Sequence, residues 1–312
     1  MTISRRQFVR QATTVAAGLS LAPELFASGG AKKGLEISLA QWSFHKALFA
    51  KKFDNLDFPA KAKKDFGIGA VEYVNQFFKD KAKDSAYLKD LLSRAKDNGV
   101  KNHLIMIDGE GGLGELDKKV RMQAVENHYK WVDAAKALEC ATIRVNAHGV
   151  GDAAEVHKAA VEGLSSLGEY ARKVGINVIV ENHGGHSSHG GWISGVMKDI
   201  GKKNIGTLPD FGNFCLKRGE GYSCLEEYDR YKGTKEMMPF AKGVSAKAYN
   251  FDEQGNCIET DYVKMMQILK AAGFEGYVGI EYEGDGLTEE EGIKKTRDLL
   301  LRTAPQVGYA IK

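Results

Sequence analysis

Proline is scarce, with 5 residues against 36 glycines in a chain of 312, and no stretch is of low complexity. A proline-rich linker or a disordered chain is therefore excluded, and a globular protein is expected. Cysteine is scarcer still. Cys140, Cys215, Cys224 and Cys257 show neither close pairing nor metal-ligand spacing, which excludes a zinc finger or ribbon. An oxidising compartment would permit a disulfide, but buried free thiols are the preferred reading of all four. The one apolar run with a claim on a bilayer, residues 12–22, falls short of the ~20 residues a spanning helix needs. No cysteine near residue 30 could accept a lipid, so no stable membrane anchor is expected. A dominant charge is also missing, since 44 Lys and Arg face 41 Asp and Glu, a net +3. Arg5, Arg6 and Arg10 against Glu24 supply +2 of that, leaving +1 for the rest of the chain. So neutral a body has no electrostatic footprint for nucleic acid.

What is present begins with Ser4-Arg5-Arg6-Gln7-Phe8-Val9-Arg10 ahead of a weakly apolar stretch. This resembles a twin-arginine export signal, so residues 1–30 are set apart from the fold. The resemblance implies passage through the twin-arginine machinery of a bacterium, with the periplasm or cell exterior as destination. That machinery exports folded proteins, which suits one that acquires a cofactor first.

From residue 31 onward, short apolar runs alternate with longer amphipathic stretches eight times. Strands are expected at 36–42, 70–74, 103–108, 142–146 and 178–181, then in a run ending at Asp210, and at 243–249 and 277–281. Helical spacing of apolar residues marks 85–98, 116–138, 153–174, 262–272 and 289–303, most followed by glycine. Strands alternating with helices argue for a parallel sheet with right-handed crossovers, and eight repeats argue for closure. The expectation is an α/β fold, a (β/α)8 TIM barrel forming a single domain over residues 31–312. A doubly wound open sheet competes, but its glycine-rich phosphate turn is missing. Trp42-Ser43-Phe44-His45 follows the first strand instead.

In such a barrel, functional groups sit at the C-terminal ends of the strands. The run Ile176-Asn177-Val178-Ile179-Val180 ends in Glu181-Asn182-His183-Gly184-Gly185, and two further apolar runs end in Asp210 and Glu281. Three strand-terminal carboxylates point to a divalent cation. Strand alternation places Glu181 and His183 on one side, and Lys247 on the same side as Ser245. Lys247 is a candidate to neutralise a developing oxyanion, or only to pair with an acid. Glu72 either binds a sugar hydroxyl or pairs with Arg144, while Trp42 and His148 are further candidates for substrate contact at strand ends.

These pieces, with Phe66-Gly67-Ile68-Gly69, Leu208-Pro209-Asp210-Phe211-Gly212-Asn213 and Gly279-Ile280-Glu281-Tyr282-Glu283-Gly284, resemble the sugar phosphate isomerase/epimerase superfamily of xylose isomerase-like barrels. The resemblance spans residues 35–305. It implies a metal held by Glu181, Asp210 and Glu281, with Mn2+ or Mg2+ favoured and Co2+ or Zn2+ admitted. The family's fourth ligand is a strand-seven histidine, yet Ser245 stands there and no histidine follows His189. Water or His183 is expected to fill the gap. The implied activity is an exported, metal-dependent isomerase or epimerase of a small carbohydrate. Glu181 and Glu281 would serve as base and acid in proton abstraction next to a carbonyl, through an enediolate. The alternatives are a lyase or dehydratase on a keto sugar or glycoside, and a non-catalytic carbohydrate-binding barrel. A homo-oligomer is left open.

Overall fold

Eight short strands carry large apolar side chains on one face and small, polar or charged ones on much of the other, and each is followed by a helix that covers the apolar face. In the computed structural model, which describes residues 34–312, these are β1 Leu35–Ala40, β2 Ala70–Val74, β3 Lys101–Met106, β4 Thr142–Val145, β5 Asn177–Glu181, β6 Ile205–Leu208, β7 Val244–Ala248 and β8 Gly276–Tyr282. The helices after them are α1 Phe58–Phe66, α2 Ser85–Asp97, α3 Lys118–Ala137, α4 Ala153–Val174, α5 Gly190–Ile200, α6 Arg230–Met237, α7 Tyr262–Ala271 and α8 Glu289–Thr303. The expected export segment lies outside the described residues.

All neighbouring strands pair in parallel, in the order β6-β5-β4-β3-β2-β1-β8-β7. The expected TIM barrel is thus formed, as a single domain. It closes between β6 and β7 through only two isolated bridges, Thr207 with Ala241 and Asp210 with Ser245. Regular pairing of β6 stops at Leu208, two residues before the expected end, because Pro209 has no N–H to give to a ladder. Its carbonyl still accepts the Ser245 N–H at 2.9 Å, and the Phe211 N–H reaches the Ser245 carbonyl at 3.1 Å. The seam that closes the barrel is therefore what brings Asp210 beside Ser245.

Strand alternation sorts the side chains into two cores. Ile37, Leu39, Val71, Tyr73, Ile105, Ile143, Val178, Val180 and Ile280 face the helices in one large core. Inside the barrel a small core holds Ala40, Val74, Leu104, Met106, Ile179 and Leu208. Each fully buried aliphatic side chain contributes roughly 1.5–3 kcal/mol. Register slips once, where Val71 and Glu72 oppose Asn102 and Leu104, leaving His103 as the extra residue of a bulge.

Helix starts are fixed locally. Asp84, Asp117, Asp152, Asp229 and Asp261 each accept a backbone N–H at the first turn of their helix, and Thr288 forms a capping box with Glu291. Helix α4 stops at Gly175, whose φ of 79° suits glycine best.

Two expectations need correction. The first strand ends at Ala40 rather than at 42, since Gln41–Phe44 turns into a 3₁₀ helix, and Trp42 rides on that turn. The four cysteines are not all free. Cys215 and Cys224 are joined by a disulfide across a short antiparallel hairpin, Cys215–Arg218 with Cys224–Glu227, while Cys140 and Cys257 are free and buried. The nine-residue separation gave no motif to read; only the hairpin pairing brings the two sulfurs together.

Candidate active site

The acids that end β5, the β6 run and β8 point inward and meet. One carboxylate oxygen from each of Glu181, Asp210 and Glu281 lies within 4.8 Å of the others, and all three residues are buried. Their positions are pinned from behind by Asn182, the residue that alternation turns away from Glu181. Its amide donates to the carbonyls of Asp210 at 3.0 Å and Asn213 at 3.1 Å, and its oxygen accepts the Asp210 N–H at 2.7 Å. Asp210 Oδ1 accepts two backbone N–H groups, from Gly212 and Asn213, both at 2.8 Å. The turn 210–213 is thereby locked around the carboxylate.

Nearly every other carboxylate oxygen of the trio is also occupied. Ser245 Oγ lies 2.6 Å from Asp210 Oδ2 and 2.9 Å from Glu281 Oε2. A hydroxyl has one hydrogen and can donate to only one of them, so the second short contact calls for a further proton or cation between the oxygens. Lys247 Nζ donates to Glu281 Oε1 at 2.8 Å and Glu283 Oε1 at 2.9 Å, and sits 3.7 Å from Asp210 Oδ2. Glu181 Oε1 accepts from Asn213 Nδ2 at 3.0 Å. Its Oε2 lies 2.6 Å from Arg144 Nε, an ion pair in close contact but without hydrogen-bond alignment.

The electrostatics follow from this burial. Desolvation pushes the Glu181 carboxyl up to about 7 against the pull of Arg144, and Asp210 up to about 7 against the pull of Lys247. For Lys247, burial disfavours the charge, but Glu281, Asp210 and Glu283 outweigh it and raise its pKa above the ordinary range. Asp108 is likewise opposed by burial, yet the guanidinium of Arg144 at 2.7 Å and the amide of Asn146 at 2.7 Å hold it at about 2. Glu72 lies deeper in the barrel interior. Its Oε1 accepts from Ser38 Oγ at 2.6 Å, its Oε2 has no partner among the described residues, and burial pushes its pKa up to about 8. Room for it exists only because residue 279 is glycine, since a Cβ there would lie 2.7 Å from Glu72 Oε1.

A cavity of about 830 Å³ opens above this cluster, lined among others by Trp42, Asp108, Arg144, His183, Tyr249 and Glu281. Of the three converging acids only Glu281 lines it directly; Glu181 and Asp210 are fully buried. Trp42 forms a wall, its ring stacked on His45 at 5.0 Å and 14°. His183 is exposed in the cavity lining and is not among the converging ligand atoms, so the position opposite the acids belongs to the Ser245 hydroxyl rather than to an imidazole. His148 is not brought here. It lines a neighbouring cavity of about 770 Å³ with Val150, His186, His189 and Trp192. Nor does Glu72 pair with Arg144, whose charge is taken by Asp108 and Glu181.

Sequence reasoning missed Asn213, Asp108 and Glu283 as partners and misplaced Arg144. One signal was available: Arg144 interrupts an apolar run in β4 at the parity of the barrel interior, and a cation there must face acids. The donor set of three carboxylates and a hydroxyl is hard, and the second Ser245 contact is met either by a proton on one acid or by a cation between the oxygens. The trio could therefore hold a divalent metal ion.

Comparison with known proteins agrees with this architecture. The sequence profile of a family described as xylose isomerase-like TIM barrel matches residues 60–303. Among curated proteins, none matches. A sugar phosphate isomerase/epimerase from Parabacteroides distasonis superposes with a TM-score of 0.64 at 18% identity, covering 92% of this chain and 100% of that one. D-psicose 3-epimerase from Clostridium cellulolyticum, determined with D-tagatose, gives 0.64 at 13% identity over 88% and 100%. A xylose isomerase-like TIM barrel protein from Mycobacterium smegmatis, in complex with magnesium, gives 0.62 at 14% identity over 88% and 98%.

Proposed function

Because the chain belongs to the xylose isomerase-like TIM barrel family, we propose that it is an isomerase or epimerase of a small sugar, acting by proton abstraction next to a carbonyl. The observation that carries this reading is the convergence of Glu181, Asp210 and Glu281 beside a large polar cavity. Glu281 lines that cavity and takes the first role, moving a proton at the substrate carbon. Glu181, from a strand three places round the barrel and in ion contact with Arg144, is the second proton carrier. A divalent ion held by Glu181, Asp210 and Glu281, Mn2+ or Mg2+ before Co2+ or Zn2+, would supply a Lewis acid for the enediolate oxygens. Lys247 adds a positive charge for the same oxyanion. Trp42 offers a ring face to the sugar, and His183 a polar contact from the cavity wall. The twin-arginine pattern supports action outside the cytoplasm, in the periplasm or beyond.

A cavity of about 830 Å³ is large for a single monosaccharide, which supports a second reading. In it the same proton abstraction expels a substituent from a keto glycoside, making the protein a lyase. One experiment addresses both. The purified chain with Mn2+ is incubated in D2O with a panel of keto and aldo sugars and their glycosides, followed by mass spectrometry. One solvent deuteron gained per turnover is expected for the isomerase or epimerase, and release of the substituent for the lyase. No exchange and no release across the panel would retire both in favour of a binding protein.

A further inference from the structure

Among the described residues, Lys247 is the one ammonium group in contact with the acid cluster, and its stem is fixed. It lies opposite Glu281 in the β7–β8 register, and its backbone carbonyl accepts the Tyr262 hydroxyl at 2.9 Å. A Cβ on Gly212 would stand 2.7 Å from its Cγ, so the turn packs closely against the side chain. The head group, by contrast, has two nearly equal docks: Glu281 at 2.8 Å, inside the converging trio, and Glu283 at 2.9 Å, outside it. Asp210, a second member of the trio, is 3.7 Å away. Two of the three acids that would hold a divalent ion are thus already facing a unit positive charge, at a site where Lys247 is only 2% exposed.

We propose that the Lys247 ammonium is the resident counter-cation of the acid cluster, and that a divalent ion enters only by displacing it from Glu281 onto Glu283. This rests on the reading that Glu181, Asp210 and Glu281 bind metal. The physical reason is that the ion and the ammonium would compete for the same carboxylate oxygens, and like charges a few ångströms apart in a buried site repel strongly. Glu283 makes the exchange feasible, because Nζ needs only to release one carboxylate while keeping the other. Lys247 therefore weakens metal binding but keeps the acids neutralised when no ion is present, while Glu283 favours metal binding without being a ligand.

The test is Mn2+ binding to EDTA-treated full-length protein, measured by the loss of the free-ion electron paramagnetic resonance signal. Lys247→Met should bind Mn2+ at least roughly tenfold more tightly than the parent, and Glu283→Gln roughly tenfold more weakly. Lys247→Met that folds only when Mn2+ is supplied would support the proposal equally, as the ion then replaces the ammonium. If the parent binds Mn2+ and Lys247→Met binds it no better, the proposal is overturned while the metal site stands. If Lys247→Met folds under neither condition, Glu283→Gln decides: weaker binding than the parent supports the proposal, and unchanged binding overturns it. Absence of Mn2+ binding in the parent and both variants would overturn the metal site and this proposal together.

Discussion

At the upper end of the barrel interior, Glu181, Asp210, Glu281 and Lys247 are buried against close polar or charged partners, whereas at the lower end His103 is buried with none. Its imidazole fills the floor beside the β7 start, 4.1 Å from the Tyr277 ring, near Gly243, Ile179 and Leu208, and neither nitrogen finds a partner among the described residues. Desolvation, aided by the Lys101 charge, pushes its pKa down to about 3. Glu72, midway, resembles each end in part: one oxygen bonded to Ser38, one orphaned, and a pKa raised to about 8. Burial of polar groups is costly at every level, but only at the top is the cost offset by a network that also presents one of its members, Glu281, to a cavity. The imidazole with two orphaned nitrogens belongs to the extra residue of the β3 bulge, and their desolvation is a cost that no partner offsets.

That contrast can be broken or sharpened by substitution, beginning at the top. Glu281→Gln keeps the shape of the side chain and removes its ability to carry a proton. Solvent-exchange activity is expected to fall by roughly 10³-fold or more, with the circular dichroism spectrum unchanged. A loss of less than tenfold would remove Glu281 from the chemistry and make the upper network as structural as the floor.

Glu72 tests the middle layer. Its folded pKa of about 8 lies above its ordinary 4.5, so between these values the folded protein holds a proton that the unfolded chain has released. Stability must then fall as pH rises across that window, by up to about 4 kcal/mol if Glu72 acted alone. Glu72→Gln should flatten this alkaline slope in denaturant titrations at pH 5 and pH 8.5. An identical slope in the variant would mean that the Glu72 carboxyl is not held protonated.

The smallest effect is expected at the floor. His103→Phe keeps an aromatic ring against Tyr277 and deletes two unsatisfied nitrogens, for a gain of about 1–2 kcal/mol near neutral pH. The linkage has the opposite sign to that of Glu72. With a folded pKa of about 3 against an ordinary 6.5, the unfolded chain binds more protons in that window, so stability is lost as pH falls. His103→Phe should flatten the acid limb and leave activity untouched. A destabilised or inactive His103→Phe would show that the floor is coupled to the site, and the comparison would fail.

Much of the fold was legible because strand and helix periods are local. The runs at 70–74 and 142–145 and the helix at 153–174 were found almost to the residue, and the eightfold repeat left few topologies open. The acids at 181, 210 and 281 were legible for the same reason, each standing out at the end of an apolar run. The first strand was overextended because Gln41 and Trp42 continue its alternation, although the chain has already turned into a 3₁₀ helix. His148 faces the second cavity rather than the one above the acids, because a strand-end position does not say which of two neighbouring cavities a side chain enters.

Residue type and spacing along single segments were enough for the alternating architecture, for the acids that end three apolar runs, and for the shared parity of Ser245 with Lys247. It took the folded barrel to show that Ser245 bridges Asp210 and Glu281, that Lys247 stands between Glu281 and Glu283, that Arg144 serves Glu181 rather than Glu72, and that Cys215 meets Cys224. The physical reason is register. Most of these pairs join residues about 35 positions apart, and which of them touch is set by the offset between strands and by the two bridges that close the barrel, neither of which leaves a mark on the local pattern.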